Sequence, residues 1–154
     1  MNSISKEIAI IFIAMLPIAE LRLALPMALN VYQMSIGEAF FWSALGNFLP
    51  IFFIVYLLEG VSHWLSEHFH LFNRFFTWLF ERTRRKHSKK FEIFKNMALV
   101  TFVAIPLPMT GAWSGVAAFV FGIPPKRSLP LIGLGILIAG IIVASLSQGM
   151  GLLL

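Results

Sequence analysis

The sequence predicts an all-α integral membrane protein. The expected fold is an inverted repeat of a re-entrant helical hairpin plus a transmembrane helix, with a basic amphipathic cytoplasmic segment between the halves. Hydrophobic residues make up 58% of the 154 residues and charged residues only 12%, about half the charged fraction of a soluble domain. The apolar residues form four long blocks, two of which are interrupted near their centres by prolines and glycines. The net charge of +5 is concentrated in one segment between the second and third blocks.

Five parts are expected within a single membrane domain, 1–154. In chain order they are a re-entrant hairpin (1–35), a transmembrane helix (36–60), a basic amphipathic interfacial segment (62–95), a second re-entrant hairpin (97–125) and a second transmembrane helix (126–154).

The two hairpins are predicted from helix-breaking residues in the middle of apolar sequence. A proline inside a helix removes a hydrogen bond and clashes with the preceding turn, at a cost of about 3 kcal/mol. The arms before the breaks, 8–16 and 97–105, would reach about 14 Å as helices, roughly half the hydrocarbon thickness. Each block is therefore expected to enter the membrane and return. The expected structural breakers are Pro17, Pro26, Pro106 and Pro108.

Charge placement favours a hairpin over a span for the block 97–123. Eight cations and three glutamates lie in the basic segment, and basic residues flanking membrane segments mark the cytoplasmic side. A crossing block would carry Lys126 and Arg127 to the opposite side, whereas a hairpin returns them to the cytoplasm. The same reasoning predicts a multi-pass protein with both termini outside. Its expected location is a prokaryotic inner (plasma) membrane.

A trace of internal repetition agrees with this order. Residues 12–14 match 102–104 at an offset of 90, and residues 43–46 parallel 132–135 at an offset of 89. Broken segments at corresponding positions are typical of inverted-repeat transporters, whose binding sites lie near the bilayer midplane. Irregular backbone at that depth must be buried in protein or line a wet cavity. The two hairpin tips are therefore expected to meet and share one cavity.

Ionisable groups inside the first block are candidates for binding substrate or protons. Intramembrane charges cost a few kcal/mol, so they usually face a cavity and serve function. Arg22 could hold an anionic phosphate through its planar guanidinium while Glu20 takes up and releases a proton. The alternative is an internal Glu20–Arg22 ion pair that fixes the hairpin tip.

The second tip adds further candidates. Thr110 offers a hydroxyl, and Gly111 and Gly115 would let backbone amides approach a ligand. Trp113 could stack on a substrate or pack against a neighbouring helix. Asn47, in a span that Gly46 and Pro50 are expected to interrupt, could line the cavity or make an interhelical hydrogen bond.

The basic segment begins with apolar residues at helical spacing, which predicts an amphipathic helix at the membrane interface. His63, Glu67 and His70 are interpreted as surface residues, and no metal site is expected because no further ligand is near. The segment lacks any fold for base readout, so nucleic acid is not an expected partner. Contacts with anionic lipid headgroups are expected for six cations: Arg82, Arg84, Arg85, Lys86, Lys89 and Lys90.

Two motifs connect these residues to a known family. The stretch 17–26, PIAELRLALP, followed by 106–115, PLPMTGAWSG, resembles the small multidrug export protein family, a relative of the DedA/VTT superfamily. The resemblance covers nearly the whole chain. It implies paired re-entrant hairpins and transport rather than catalysis. The wider superfamily implies movement of lipids between leaflets, undecaprenyl phosphate among them, whereas the family name implies drug export.

The preferred interpretation is a DedA-like membrane transporter, a proton-linked flippase of an anionic lipid such as undecaprenyl phosphate. The two alternatives are a proton-coupled exporter of cationic drugs and a non-transporting membrane scaffold. An enzyme is not expected, because the chain contains no cysteine and no acid, base and nucleophile converge in it. No cofactor is expected. The expected partners are membrane lipids, the transported molecule and a second copy in a homodimer.

Overall fold

The computed structural model describes residues 3–84, 89–107 and 110–151. These residues form helices joined by short turns, with no strand among them, so the predicted all-α class is confirmed. The helices in chain order are α1 (Ser3–Met15), α2 (Glu20–Asn30), α3 (Ile36–His68), α4 (His70–Arg84), α5 (Lys89–Ala104), α6 (Thr110–Val120) and α7 (Pro125–Gly151).

Two helices are long and apolar enough to cross a membrane by length and composition, α3 and the stretch Pro125–Gly149 of α7. The beginning of α3 is fixed by a capping box, in which the Ser35 hydroxyl accepts from the Glu38 amide and the Glu38 carboxylate accepts from the Ser35 amide. Large apolar side chains cover the outer surface, such as Phe12 at 64% and Phe53 at 65% exposure. Such a surface suits hydrocarbon rather than water.

Only some of the expected breakers interrupt a helix. Pro17 lies in the turn between α1 and α2, and Pro106 lies in the turn between α5 and α6. Pro108 lies outside the described residues. The prediction is wrong for Pro26, which sits inside α2, and for the interruption expected around Pro50, which sits inside α3. Each proline ring removes one backbone hydrogen bond from its helix, and packing of the helix against its neighbours compensates for that loss.

The short helices pair as two antiparallel hairpins. The Lys6 ammonium, near the start of α1, donates to the Tyr32 carbonyl just beyond the end of α2, at 3.2 Å. The Lys95 ammonium, in the first half of α5, donates to the Phe121 carbonyl just beyond the end of α6, at 3.5 Å. In each hairpin, therefore, the second arm returns to the level at which the first arm began.

The same packing pattern occurs twice at an offset of 89 residues. A Cβ placed on Gly46 would come within 2.6 Å of the Ile11 carbonyl oxygen and 2.8 Å of the Ala14 Cβ. A Cβ on Gly135 would come within 3.1 Å of the Val100 carbonyl oxygen and 2.6 Å of the Val103 Cβ. Each long helix thus approaches the first arm of its own hairpin through a glycine, since no larger residue fits there.

Backbone features recur at that offset as well. The chain adopts positive φ at Gln33 (51°) and at Gly122 (65°), just after the second arm of each hairpin. The long helices then begin at Ile36 and at Pro125. Each half of the chain therefore builds a hairpin, a left-handed residue and a long helix in the same order.

The long helices α3 and α7 run antiparallel. Phe40 lies against Gly140 and Phe48 against Gly133, so residue numbers rise along one helix as they fall along the other. The two hairpins, whose open ends adjoin the starts of α3 and α7, therefore approach from opposite ends of the molecule. Their tips meet near its middle.

The basic segment is more helical than expected. α3 continues past the predicted boundary at residue 60 to His68, where Phe69 takes an extended conformation and separates it from α4. The apolar stripe expected on one amphipathic helix is accordingly divided between two, with Leu65 on α3 and Phe72 on α4. The second hairpin begins inside the basic segment, at Lys89, rather than at residue 97.

Candidate functional site

Glu20 lies where the two hairpin tips meet. It is the first residue of α2, and its backbone has φ of 47°, a left-handed conformation that a non-glycine residue adopts at a cost of about 1–2 kcal/mol. Its side chain is buried, with the residue only 6% exposed. One carboxylate oxygen, Oε1, accepts a hydrogen bond of 3.0 Å from the Gly111 amide at the start of α6.

Gly111 and Asn47 complete this junction. A Cβ on Gly111 would lie 2.8 Å from Asn47 Oδ1 and 3.1 Å from Glu20 Oε1, so glycine is what allows the amide to approach the carboxylate. Asn47, in the middle of α3, is 8% exposed. The carboxylate therefore faces the amino end of α6, where the helix dipole favours negative charge.

Hydroxyl groups at the second tip are used by their own backbone. Thr110 Oγ1 donates to the Leu107 carbonyl at 2.9 Å, and Ser114 Oγ donates to the Gly111 carbonyl at 2.5 Å. Thr110 and Glu20 line the same cavity, but the Thr110 hydroxyl proton is already donated to the Leu107 carbonyl and is not free to bind a ligand. Ser114, which is fully buried, is a tip residue that sequence reasoning missed.

Two cavities flank the junction instead of the single cavity expected. One, of about 210 Å³, lies between the first tip, α3 and α6 and is lined by residues that include Met15, Pro50 and Ala112. The other, of about 20 Å³, lies between the second tip, α2 and α7. Glu20 and Asn47 line both, so these two side chains form the partition between them.

Arg22 does not pair with Glu20. Within the part of the chain that the structure describes, no Arg22 nitrogen lies within 4.0 Å of a Glu20 oxygen, so the two form no direct ion pair, although the Arg22 charge is close enough to act on the Glu20 carboxylate. Successive residues of a helix point in different directions, so Glu20 faces inward while Arg22 is exposed. Arg22 borders the smaller cavity from its rim.

Two other predicted site residues lie away from Glu20. Trp113 is 54% exposed and does not line either tip cavity. Gly115 packs on α3, where an added Cβ would lie 3.0 Å from Ile54 Cγ2 and 3.3 Å from Val55 Cγ2. The structure therefore brings together Glu20, Asn47, Thr110 and Gly111, with Arg22 at the edge.

The basic segment is only partly described. Arg85 and Lys86 lie outside the described residues, and Arg84 is the last residue of α4. Arg82 lies over the Trp78 ring at 5.4 Å, while Lys89 and Lys90 are exposed at the start of α5. Contacts of these cations with lipid headgroups remain a prediction.

The histidines of the segment do not gather into a cluster. His63 Nδ1 lies 3.3 Å from Glu67, and His70 belongs to the next helix. Across residues 3–84, 89–107 and 110–151 no three acidic or histidine side chains come together as metal ligands would. A buried cation that sequence reasoning missed is Lys95, 5% exposed and 2.6 Å from Glu92.

The two long apolar helices and the apolar outer surface point to a membrane protein. A family model described as "Putative small multi-drug export protein" matches residues 20–142, and the chain belongs to this family. The resemblance recognised in the two tip motifs is thus confirmed, and the family points to transport rather than to an enzyme. Neither a curated protein nor a solved structure matches the chain.

Proposed function

We propose that the protein exports small organic cations across the membrane in exchange for protons, and that Glu20 is the group that binds them in turn. One observation carries this proposal. A buried carboxylate with no cation at ion-pair distance among the described residues lies between two cavities. A carboxylate in an apolar setting is strongly favoured to take up either a proton or a cation, since its isolated charge is costly there.

The contacts at matched positions support an inverted repeat of two re-entrant hairpins. The glycine contacts at Gly46 and Gly135, the antiparallel α3 and α7 and the meeting of the tips all agree with that architecture. In such a repeat each hairpin enters from its own side of the bilayer and ends near the midplane. Glu20 would then lie at mid-membrane, where a substrate could be reached from either side.

The unequal cavities suggest how access could alternate. The cavity of about 210 Å³ beside the first tip has a counterpart of about 20 Å³ beside the second tip. If the second hairpin tip took up the looser packing now seen beside the first tip, and the first tip took up the tighter packing, the second cavity would enlarge and the first would close. Glu20 would move little in this change. Bound cation would pass from one side of the partition to the other, and a proton would replace it on release.

A second candidate is transfer of a lipid phosphate such as undecaprenyl phosphate. The observation that favours it is Arg22, a guanidinium exposed within two residues of the tip junction. An arginine facing hydrocarbon costs several kcal/mol and is stabilised by a phosphate that it can bind with two parallel hydrogen bonds. This candidate makes Arg22 the substrate group and leaves Glu20 to carry a proton.

Single substitutions at the first tip distinguish the two candidates. Purified variants in liposomes would be tested for proton-driven transport of tetraphenylphosphonium and for transbilayer movement of a fluorescent polyprenyl phosphate. We expect Glu20→Gln to abolish cation transport, because a neutral amide cannot balance the bound charge. We expect Arg22→Ala to keep or raise that transport, because it removes a repelling charge and no ion pair.

Glu81→Gln serves as the matched control, since it removes the same charge from α4, outside the tip junction. Thermal unfolding of every variant separates a transport defect from a folding defect. Cation transport by Glu20→Gln at the control rate would overturn the proposal. Loss of lipid movement in Arg22→Ala, with cation transport absent from the unaltered protein, would favour the lipid candidate.

A further inference from the structure

A cleft of about 410 Å³ opens where α3 ends and α7 begins, well away from the tip junction. It is lined by one face of α3, by α4, by the end of α6 and by the turn before α7. Its volume falls within the roughly 300–1,000 Å³ of small-molecule sites.

The polar side of the cleft contains the carboxylate of Glu59. Glu59, Ser62, His63 and Ser66 follow one another at helical spacing along α3 and all line the cleft. The Ser62 hydroxyl donates to the Glu59 carbonyl at 2.9 Å, and His63 Nδ1 lies 3.3 Å from Glu67. The Glu59 carboxylate, in contrast, is exposed and forms no ion pair with any residue that the structure describes.

The opposite side of the cleft is aromatic and aliphatic. Phe80 of α4 and Phe119 of α6 line it with ring centroids 5.5 Å apart in an edge-to-face arrangement. Ile123, Pro124 and Val55 complete the wall. Aromatic faces attract cations and apolar bodies alike, and among the described residues that line the cleft His63 is the one group that can carry a positive charge.

The cleft adjoins the larger tip cavity. Val55 lines the cleft, Ile54 lines the tip cavity, and Gly115 lies against both side chains. An added Cβ at Gly115 would lie 3.0 Å from Ile54, so tightly packed side chains separate the two spaces at this position.

We propose that this cleft is a second binding site, for small organic cations with an apolar body, beside the larger tip cavity. The inference rests on the proposed export function for its place in transport, although binding can be measured without transport. Glu59 supplies the counter-charge, Phe80 and Phe119 supply aromatic surface, and the packing of Gly115 on Ile54 and Val55 separates the cleft from the tip cavity.

The test is equilibrium binding of tetraphenylphosphonium to the purified protein, with the Glu20→Gln variant as background so that only the cleft is measured. Adding Glu59→Gln should weaken binding by about tenfold, the effect of losing one charge contact worth near 1.4 kcal/mol. Adding Glu81→Gln, which removes an equal charge from α4 at a residue that does not line the cleft, should leave binding unchanged. Phe119→Leu should weaken binding without removing charge.

Binding of tetraphenylborate, an anion of the same shape, is measured in parallel, so that an effect of the ligand's charge can be separated from an effect of its shape. Its binding should stay equal or strengthen in Glu59→Gln if the carboxylate recognises cations. Equal weakening of both ions, or equal cation binding in Glu59→Gln and Glu81→Gln, would overturn the cleft proposal. Neither result depends on transport by Glu20→Gln, so the cleft and the export mechanism can fail separately.

Discussion

At the scale of single residues, the candidate site depends on a glycine as much as on a carboxylate. The Gly111 amide reaches Glu20 because nothing projects from its Cα toward Asn47. The left-handed backbone and the burial of Glu20 both raise the free energy of the folded state locally, and contacts elsewhere in the fold must offset that increase. Such costs are commonly retained at functional positions.

We expect Gly111→Ala to impair cation transport while the protein remains folded. The new methyl group would lie 2.8 Å from Asn47 Oδ1 and 3.1 Å from Glu20 Oε1, and both side chains would have to move. Crowding of this kind costs about 1–3 kcal/mol, partly offset by the greater helix propensity of alanine. Transport in liposomes and thermal unfolding measure the two effects.

Gly37→Ala is the control for that substitution, because its Cβ would meet nothing within 4 Å. Unchanged transport by Gly111→Ala would show that the close approach of amide and carboxylate is unimportant for function.

The sequence predicted some of these residues and missed the geometry of others. Glu20 and Arg22 stood out because charges are rare in apolar blocks, and both lie at the tip junction. Their separate directions could not be predicted, since the left-handed backbone at Glu20 and the exact start of α2 decide them. Trp113 is a candidate because an aromatic ring can stack on a substrate, but the packing of α6 leaves its side chain exposed on the outer surface.

At the scale of elements, the glycines of the two long helices determine how closely each helix approaches its hairpin. Gly46 and Gly135 occupy equivalent positions, and in both cases the nearest atoms belong to the first arm. Helices in membranes associate through such small residues, because lipid offers no hydrophobic driving force between them. The two hairpins are thus held by similar contacts.

We expect Gly46→Ala and Gly135→Ala to destabilise the protein by similar amounts, about 1–3 kcal/mol each, because backbone atoms of the hairpin arm must move. Gly60→Ala provides the control within α3, where an added Cβ meets nothing within 4 Å, and it should stabilise the helix by about 0.5–1 kcal/mol. Thermal unfolding in detergent compares the three. A cost at Gly46 without one at Gly135 would contradict the equivalence of the two contacts.

The boundaries of the helices could be predicted where a single local feature, such as a proline or a change from polar to apolar sequence, determines them. The breaks at Pro17 and Pro106 and the starts of both long helices agree with the sequence. The extension of α3 to His68 and the continuous helix through Pro50 were not predictable, because packing against α1 and α6 outweighs the local cost of the proline. Propensity alone does not contain that information.

At the scale of the whole molecule, the antiparallel long helices place the starts of α3 and α7 at opposite ends. Gly37 near the start of α3 and Arg127 near the start of α7 should therefore lie on opposite sides of the membrane. Lys90, at the start of α5, should share the side of Arg127, because the hairpin of α5 and α6 returns to it. The basic flanks predict that this side faces the cytoplasm.

Single cysteines test this arrangement, since the native chain has none. We expect a membrane-impermeant maleimide to label Gly37→Cys in intact cells and to label Lys90→Cys and Arg127→Cys only after permeabilisation. Labelling of Lys90→Cys and Arg127→Cys from opposite sides would mean that the second hairpin crosses the membrane. Labelling of Gly37→Cys and Arg127→Cys from one side would contradict the antiparallel long helices as spanning segments.

The recurrence at 89 residues also bears on how the chain enters the membrane during synthesis. If the halves form the inverted repeat proposed above, they would fit the bilayer almost equally well upside down, and packing alone would select neither orientation. The charges of the connecting segment are not repeated elsewhere in the chain, and we infer that they decide which way round the finished protein faces. Neutralising the basic run should accordingly yield a mixed population, in which the Gly37→Cys position is labelled from both sides.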